Sequence, residues 1–293
     1  MSTPDYQITL FYKFVHIADP QALLKSQRLL CTELGLTGRM IIAHEGVNAT
    51  FEGSAEALEK YKEALHQDER FADVNFKQSP GIGTAFPKLS IKVRDEIVTL
   101  AAGEFDPQTQ TAPNVTADEL QAMYERNEDF VVLDLRNDYE IQSGAFENSV
   151  DPGLENFRDL PQKLEAISNL KDKKVVAVCT GGIRCEKATC LLKQEGFTNI
   201  YQLKDGIHTY IEKYPGQKFK GTLFVFDNRM VTDVVPVANK EVIGRCSFCN
   251  MACESYYCDD SVRPSKKILC CDSCYQERQE TLRQPVEFKE SVG

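Results

Sequence analysis

The chain has no tryptophan, four histidines among 293 residues, and no long apolar run. No segment reaches the roughly 18 apolar residues of a membrane-spanning helix, and the charged, alternating start MSTPDYQITLFYKFV is unlike a signal peptide. We therefore expect a cytoplasmic protein with no membrane partner. Because the histidines are scattered, we do not expect the paired histidines of an oxygenase iron site.

Two further patterns are missing. No Gly-x-Gly-x-x-Gly loop is present, so we expect no flavin or nicotinamide nucleotide cofactor. Basic charge is in deficit, since 34 Lys and Arg residues face 44 Asp and Glu residues and leave a net charge of −10. A chain of this charge is not a general polyanion binder, and any nucleic-acid site must be a local basic patch.

Cysteine, by contrast, is abundant, and its eleven positions are unevenly placed. Four lie in the first 245 residues, at Cys31, Cys179, Cys185 and Cys190, and the other seven lie between Cys246 and Cys274. This distribution fits a reducing compartment, one reactive site and one cysteine-rich module, rather than a secreted disulfide scaffold.

Residues 1–100 carry the pattern of a small α+β domain. Apolar and polar residues alternate in YQITLFYKFV, which predicts a strand with one buried face. The segments after it predict, in order, a helix at 20–34 capped by Asp19, strands at 40–43 and 47–51, a helix at 54–65 capped by Ser54, and strands at 74–77 and 89–93. This βαββαβ order resembles the ferredoxin-like and acylphosphatase-like fold.

The rest of the chain is predicted to be a linker, an α/β domain and a cysteine-rich module. The polar, proline-containing segment 101–113 is typical of a linker. In 114–215, strands at 130–135, 175–178 and 199–201 alternate with helices at 157–167, 186–195 and 207–213, and Thr116 with Glu119 forms the capping box of an earlier helix. This alternation predicts a doubly wound parallel sheet with its ligand site at the carboxyl ends of the strands. Residues 216–293 hold the cysteine-rich module and a polar tail after Leu282, so we expect a multidomain chain of α/β and α+β class.

The segment KKVVAVCTGGIRCEKATCLL places Cys179 between a strand and the following helix. A cysteine there faces backbone N–H groups and the positive end of the helix dipole, which favour its thiolate. The loop consists of Thr180, Gly181, Gly182, Ile183 and Arg184. Its small residues let the N–H groups converge, and its arginine adds a positive charge. We predict that Cys179 is a nucleophile in an anion-binding loop.

The length of this loop separates two kinds of enzyme. From Cys179 to Arg184 it is one residue shorter than the loop with which cysteine phosphatases surround phosphate, and Val178 stands where those enzymes often have a histidine. A smaller ring of N–H groups suits a terminal sulfur atom. In length and in the sequence CTGGIR, the loop resembles the active-site loop of the rhodanese family, whose cysteine carries a persulfide. LDLRNDYE resembles an early rhodanese motif, which implies that Asp134 and Arg136 brace the loop through ion pairs and hydrogen bonds.

Longer stretches of the chain resemble one family of rhodanese-domain proteins, the tRNA uridine hydroxylases. These stretches are GRMIIAHEGVNATFEG, KLSIKVRDEIV, LDLRNDYE, CTGGIRCEKA, FKGTLFVFD and two CxxC pairs. The resemblance implies oxygen-dependent 5-hydroxylation of the wobble uridine, with molecular oxygen as co-substrate and the tRNA anticodon loop as partner. Two alternatives stay open: a persulfide sulfurtransferase that delivers sulfur to an RNA or protein acceptor, and a non-catalytic binding module.

The two CxxC pairs, Cys246/Cys249 and Cys271/Cys274, have a spacing close to that of four-cysteine zinc sites. Three cysteines of the module are left over: Cys253, Cys258 and Cys270. Three interpretations follow: one structural zinc ion, reduced thiols that pack a small lobe, or redox-active thiols that resolve an intermediate on Cys179.

Other residues are expected to act around the loop. Cys185, at the start of the helix, either resolves an oxidised Cys179 as a disulfide or packs as a small residue. The predicted RNA contacts are Lys88, Lys92, Arg94, Lys218 and Lys220. The first three are expected on one face of a strand, where they either grip a substrate backbone or protect a sheet edge from aggregation.

Overall fold

A computed structural model describes residues 5–236 and 239–284 of the chain. The polar tail beyond residue 284 lies outside the described residues. The chain divides into two compact units, Met1–Thr99 and Leu100–Gly293. Over the described ranges, no helix is both long enough and apolar enough to cross a membrane.

The first unit is a single sheet with two helices. Its elements are β1 (Tyr6–Phe14), α1 (Pro20–Glu33), β2 (Thr37–Ala43), β3 (Gly46–Ser54), α2 (Ala55–His66), β4 (Lys77–Pro80) and β5 (Leu89–Val93). The strand order is β4-β1-β3-β2-β5, antiparallel except for β5, which runs parallel to β2. Phe11, Phe51 and Tyr61 lie in the core between the sheet and its helices. The predicted acylphosphatase-like domain is confirmed.

The helix caps of this unit agree with the predictions from the sequence, but one predicted strand does not. Asp19 accepts hydrogen bonds from two N–H groups of α1, and Ser54 accepts one from α2, as predicted. The strand predicted at 74–77 is wrong, because β4 begins only at Lys77. Val74 instead donates its N–H to the carbonyl of Phe71 at 3.1 Å, at the end of a 3₁₀ turn, which keeps it out of the ladder with β1.

The second unit begins with the predicted rhodanese domain. Its elements are α3 (Pro107–Gln110), β6 (Asn114–Val115), α4 (Ala117–Glu125), β7 (Val131–Asp134), α5 (Asp138–Ile141), β8 (Gly144–Phe146), α6 (Leu160–Lys163), β9 (Val175–Val178), α7 (Ile183–Gln194), β10 (Ile200–Leu203) and α8 (Gly206–Lys213). Strands β6, β10, β9 and β7 form a parallel sheet in that order. All four residues of β9 are buried. Since successive side chains point to opposite faces, both faces of the sheet are covered, as predicted.

Two predicted segments of this domain differ in detail. The helix expected at 157–167 is three short pieces: a 3₁₀ turn at Phe157–Asp159, α6, and a 3₁₀ turn at Glu165–Leu170. Pro161 has no N–H to donate to the carbonyl of Phe157, so a continuous helix cannot form there. The expected linker at 101–113 contains α3, and the Ala112 N–H donates to the Thr189 hydroxyl at 3.0 Å. The domain boundaries themselves stay a prediction.

The C-terminal module joins the rhodanese domain through strand pairing. It contains β11 (Phe219–Phe224), β12 (Val231–Asp233), β13 (Tyr256–Asp259), β14 (Lys266–Leu269), α9 (Asp272–Gln276) and β15 (Leu282–Arg283). Strand β11 pairs antiparallel with β8 on one side and with β12 on the other. A second small sheet has the order β14-β13-β15. The module is therefore built onto the segment that follows β7.

Candidate active site

Strand β9 carries Cys179 to the carboxyl edge of the parallel sheet, and α7 begins four residues later at Ile183. Gly182 caps this helix with a φ of 101°, in the left-handed region that favours glycine. In this conformation the Gly182 N–H donates a hydrogen bond to the Cys179 sulfur at 3.2 Å. The loop thus presents a backbone donor to the sulfur.

Helix α8 supports the loop from its carbonyl side. The N–H of Ile207 donates to the Cys179 carbonyl at 2.9 Å, and the N–H of His208 donates to the Thr180 carbonyl at 3.0 Å. At Gly206, where φ is 72°, a Cβ would lie 2.6 Å from the Cys179 carbonyl oxygen and 2.7 Å from the Gly182 nitrogen. Gly206 was not among the predicted site residues, although its Asp-Gly pair, one residue after β10, marks a tight turn.

The acidity of Cys179 results from opposing effects. Cys179 is buried, and burial alone raises the pKa of its thiol. A hydrogen bond from the Cys185 thiol, the charge of Arg184, and the N–H groups of Cys185 and Gly182 outweigh burial and lower the pKa from 9.0 to about 6. At neutral pH the sulfur is therefore mostly a thiolate, which is the nucleophilic form.

Cys185 faces Cys179 from the first turn of α7. It is fully buried, and burial together with its hydrogen bond to Cys179 raises its pKa well above the ordinary value. The pair is therefore a thiolate and a protonated thiol in hydrogen-bond contact. The role of Cys185 as a resolving thiol stays a prediction.

The guanidinium of Arg184 is held by Glu140. Nη1 donates to Oε2 at 2.5 Å and Nη2 donates to Oε1 at 2.9 Å, and the two side chains are 8% and 0% exposed. Burial raises the pKa of Glu140, but Arg184 and Arg136 outweigh this and lower it. The ion pair therefore fixes the position of the positive charge beside the loop.

Glu140 also binds the loop directly. Its carboxylate accepts the Thr180 hydroxyl at 3.2 Å and the Asn137 N–H at 2.9 Å, in addition to Arg184. Glu140 is absent from the residues that the sequence predicted for the site. The available signal was its position three residues after Asn137, which forms a capping box for α5.

Asp134 and Arg136 form a fully buried ion pair, with Nη2 of Arg136 2.7 Å from Oδ2 of Asp134. Arg136 also donates to the carbonyls of Gly144 at 2.7 Å and Glu140 at 3.3 Å. These bonds hold the segment 136–144, and Glu140 carries this support to the loop. The bracing role that the sequence predicted would therefore act through Glu140.

Comparisons with known proteins cover nearly the whole chain. Three family models match: the UPF0176 acylphosphatase like domain at residues 6–97, the Rhodanese-like domain at 116–213 and the Rhodanase C-terminal domain at 220–284. The tRNA uridine(34) hydroxylase of Cytophaga hutchinsonii is 41% identical over 276 residues, which are 94% of this chain and 88% of the relative. The chain belongs to the tRNA uridine(34) hydroxylase family. The tRNA uridine(34) hydroxylase of Staphylococcus haemolyticus is 40% identical over 90% of this chain and 83% of its own length.

In this member of the tRNA uridine(34) hydroxylase family, the cysteine-rich module brings four thiols together. The sulfurs of Cys246, Cys249, Cys271 and Cys274 all lie within 4.8 Å of one another. The first pair lies on a turn closed by the Cys246 N–H and the Met251 carbonyl at 2.8 Å, and the second pair lies at the start of α9. This group could hold a metal ion, as the spacing of the CxxC pairs predicted.

In the first unit of this family member, the predicted RNA contacts lie around an edge strand. Lys92 is in β5, whereas Lys88 and Arg94 flank it, so the prediction that a single strand carries all three is wrong. The strand itself has the predicted bounds, 89–93, and the Arg94 N–H donates to the Ile42 carbonyl at 2.9 Å directly after its end. Partial burial and the charges of Arg94 and Lys88 lower the pKa of Lys92.

The two predicted contacts in the second unit share one carboxylate. Lys218 and Lys220 lie 3.3 Å and 3.5 Å from oxygens of Glu147. Their positive charge is therefore partly neutralised within the second unit. An RNA-binding role for these basic residues, in either unit, stays a prediction.

Proposed function

We infer that this protein is an enzyme that hydroxylates uridine 34 of tRNA. One observation carries the inference: Cys179, whose pKa is lowered to about 6, lies in a rhodanese-type loop of a chain that is 41% identical to a tRNA uridine(34) hydroxylase over 94% of its length. A reactive thiol and near end-to-end similarity together favour this reaction over a non-catalytic binding role.

We propose that molecular oxygen is the co-substrate and that C5 of the uracil is the site of attack. One oxygen atom enters the C5–H bond, and the other joins Cys179 as a sulfenic acid. The thiol of Cys185, already hydrogen-bonded to Cys179, then attacks this sulfur, so that water leaves and a disulfide closes. Uridine, oxygen and two thiols thus give hydroxyuridine, water and one disulfide. An external thiol reduces the disulfide before the next turnover.

In this scheme the rest of the loop stabilises negative charge. The N–H groups of Gly182 and Cys185 and the guanidinium of Arg184 surround the sulfur and any oxygen bound to it. Glu140 keeps Arg184 in place. A wobble base is in a single-stranded loop, so it can leave its stack and enter a site without the opening of a duplex.

We propose that the four-cysteine group holds a structural zinc ion. With zinc–sulfur bonds of about 2.3 Å, the sulfurs of a tetrahedral site are about 3.8 Å apart. The Cys249 and Cys271 sulfurs are 3.6 Å apart, and all four lie within 4.8 Å, which fits. Purified protein is expected to contain one zinc per chain, and Cys271→Ser is expected to lose it. Full zinc content in that variant, measured by atomic emission, would refute the site.

We also propose that the basic groups Lys88, Lys92, Arg94, Lys218 and Lys220 contact the tRNA backbone. Phosphate contacts make binding depend on salt, so loss of one such lysine should weaken tRNA binding and reduce the salt dependence by about one charge. A tRNA substrate and a reactive thiol both fit a cytoplasmic location.

Nucleoside analysis of tRNA tests the function. A deletion strain is complemented with the wild-type gene, with Cys179→Ser, or with Cys190→Ser, which changes another buried cysteine on the helix after the loop and serves as the control. We expect 5-hydroxyuridine and its derivatives to return with the wild type and Cys190→Ser only. Loss of a thiolated base instead would identify a sulfurtransferase, and activity of Cys179→Ser would exclude Cys179 as the reacting residue.

A further inference from the structure

Strand β13 lies between two groups of buried side chains. Tyr257 belongs to one group, together with Cys246, Cys270, Cys274 and Leu282. The neighbouring Tyr256 belongs to the other, together with Phe224, Met230 and Leu269. Because successive side chains of a strand point to opposite faces, β13 has one face toward the cysteines and the other toward the rhodanese domain.

The Tyr256 face of β13 meets helix α5. The Tyr256 hydroxyl donates a hydrogen bond to the backbone carbonyl of Tyr139. The Tyr139 ring contacts Phe224 at 5.2 Å between centroids, and the Lys267 ammonium lies 4.8 Å over it. Phe224 in turn contacts the Tyr256 ring at 5.1 Å. The C-terminal module thus holds the residue directly before Glu140 by both its backbone and its ring.

The hydrogen bonds of the Glu140 carboxylate depend on the position of α5. Its two carboxylate oxygens accept hydrogen bonds from Arg184, Thr180 and Asn137, and it is fully buried. A displaced α5 would move the carboxylate away from its donors on the loop. The module also contacts Arg184 itself, since the guanidinium carbon lies 5.8 Å from the centre of the Phe226 ring.

We propose that Tyr256 is a positioning residue of the Cys179 site, because it holds α5 where Glu140 can orient Arg184 beside the loop. The chain of contacts runs from Tyr256 to the Tyr139 carbonyl, to Glu140, and to Arg184. The cysteine-rich module is then part of the active site, although it supplies no reacting group. The proposal concerns the thiol of Cys179 and does not depend on which reaction that thiol performs.

Several ionisable groups belong to the elements around the loop. They are Tyr139 and Glu140 of α5, Asp134 and Arg136 at the end of β7, Arg184 and Cys185 of α7, and Asp205 and His208 at the start of α8. Of these, Cys185 and Arg184 act on Cys179 most strongly in favour of its thiolate. A less ordered Arg184 would stabilise the thiolate less, so the pKa of Cys179 would rise.

The test is a pH titration of the Cys179 thiolate. Its ultraviolet absorbance is obtained as the difference between each variant and the same variant with Cys179→Ser, which cancels the other cysteines. Tyr256→Phe removes one hydroxyl and keeps the ring, and we expect the Cys179 midpoint to rise by about half a unit, a roughly threefold change in the thiol–thiolate equilibrium. Phe226→Leu, at a partly exposed position, should shift the midpoint in the same direction.

Tyr257→Phe is the matched control. Tyr257 is the adjacent buried tyrosine of the same strand, and its ring stacks on Tyr275 at 4.1 Å, on the face away from α5. We expect it to leave the Cys179 midpoint unchanged. Equal shifts in Tyr256→Phe and Tyr257→Phe, or no shift in Tyr256→Phe, would overturn the proposal. Should Tyr256→Phe not fold, an unchanged midpoint in Phe226→Leu would overturn it.

Discussion

The hydrogen bond from Cys185 to Cys179 makes a sharp prediction about acidity. Cys185→Ala removes the thiol that donates to the Cys179 sulfur, and it leaves the Cys185 backbone N–H and Arg184 in place. The thiolate then loses one of the groups that outweigh its burial. We therefore expect the pKa of Cys179 to rise in this variant.

The size of the rise follows from the strength of the lost bond. A hydrogen bond to a charged group contributes roughly 1.5–3 kcal/mol, and a thiol is a weak donor, so the lower end applies. About 1.5 kcal/mol corresponds to roughly one pKa unit. The pKa of Cys179 should thus move from about 6 to about one unit higher. At a pH midway between these values, the thiolate fraction falls from about three quarters to about one quarter.

The assay is the thiolate titration, with Cys190→Ala as the matched control. Cys190 is also buried on α7, but its thiol donates to the Glu186 carbonyl at 3.1 Å and its pKa is raised to about 11. We expect no change in the Cys179 midpoint in that control. A midpoint in Cys185→Ala that equals the wild-type value would refute the hydrogen bond as a cause of the acidity of Cys179.

Three further perturbations test the surroundings of the loop. Gly206→Ala would place a methyl group 2.6 Å from the Cys179 carbonyl oxygen, and should lower the free energy of unfolding by at least about 2 kcal/mol in urea denaturation; less than about 0.5 kcal/mol would contradict the close approach. Glu140→Gln leaves Arg184 buried without its counter-charge and should cost about 3 kcal/mol in thermal unfolding, whereas Glu128→Gln, in a partly exposed ion pair, should cost less than about 1 kcal/mol; equal losses would be inconsistent with a buried pair. The folded pKa of Cys179, about 6, lies below the ordinary 9.0, so its stabilising effect is present above pH 9 and is lost as the pH falls through 6. The free energy of unfolding of the wild type minus that of Cys179→Ser should therefore increase by up to about 4 kcal/mol as the pH rises from 6 to 9. A difference that does not change with pH would contradict the lowered pKa.

The local parts of the site could be predicted from the sequence, because they depend on neighbours along the chain. Cys179, its glycines and Arg184 follow one another at the junction of β9 and α7, so their order in the sequence fixes their approximate places. Helix caps such as Asp19 and Thr116 are equally local, and the structure confirms both. Period-two and apolar patterns likewise identified four of the five strands of the first unit's sheet and three of the four strands of the parallel sheet, but neither of the two small sheets of the second unit.

The distant parts could not be predicted, because nothing in a single sequence links them. Glu140 and Arg184 are 44 positions apart, and Tyr256 is 117 positions from the carbonyl that it binds. Gly206 matters because the loop backbone comes so close that a Cβ has no room, and no sequence pattern records this close approach. The pairing of β8 with β11 also joins segments that the sequence assigned to separate domains.

The most direct test of the reaction is a single turnover with purified, reduced protein, a tRNA carrying uridine 34, and isotopically heavy oxygen gas. We expect one heavy oxygen atom in the hydroxylated nucleoside and one Cys179–Cys185 disulfide per product, both measured by mass spectrometry. Cys179→Ser should give neither. Hydroxylated product from Cys179→Ser, or product without heavy oxygen, would contradict the assignment of Cys179 as the residue that reacts with oxygen.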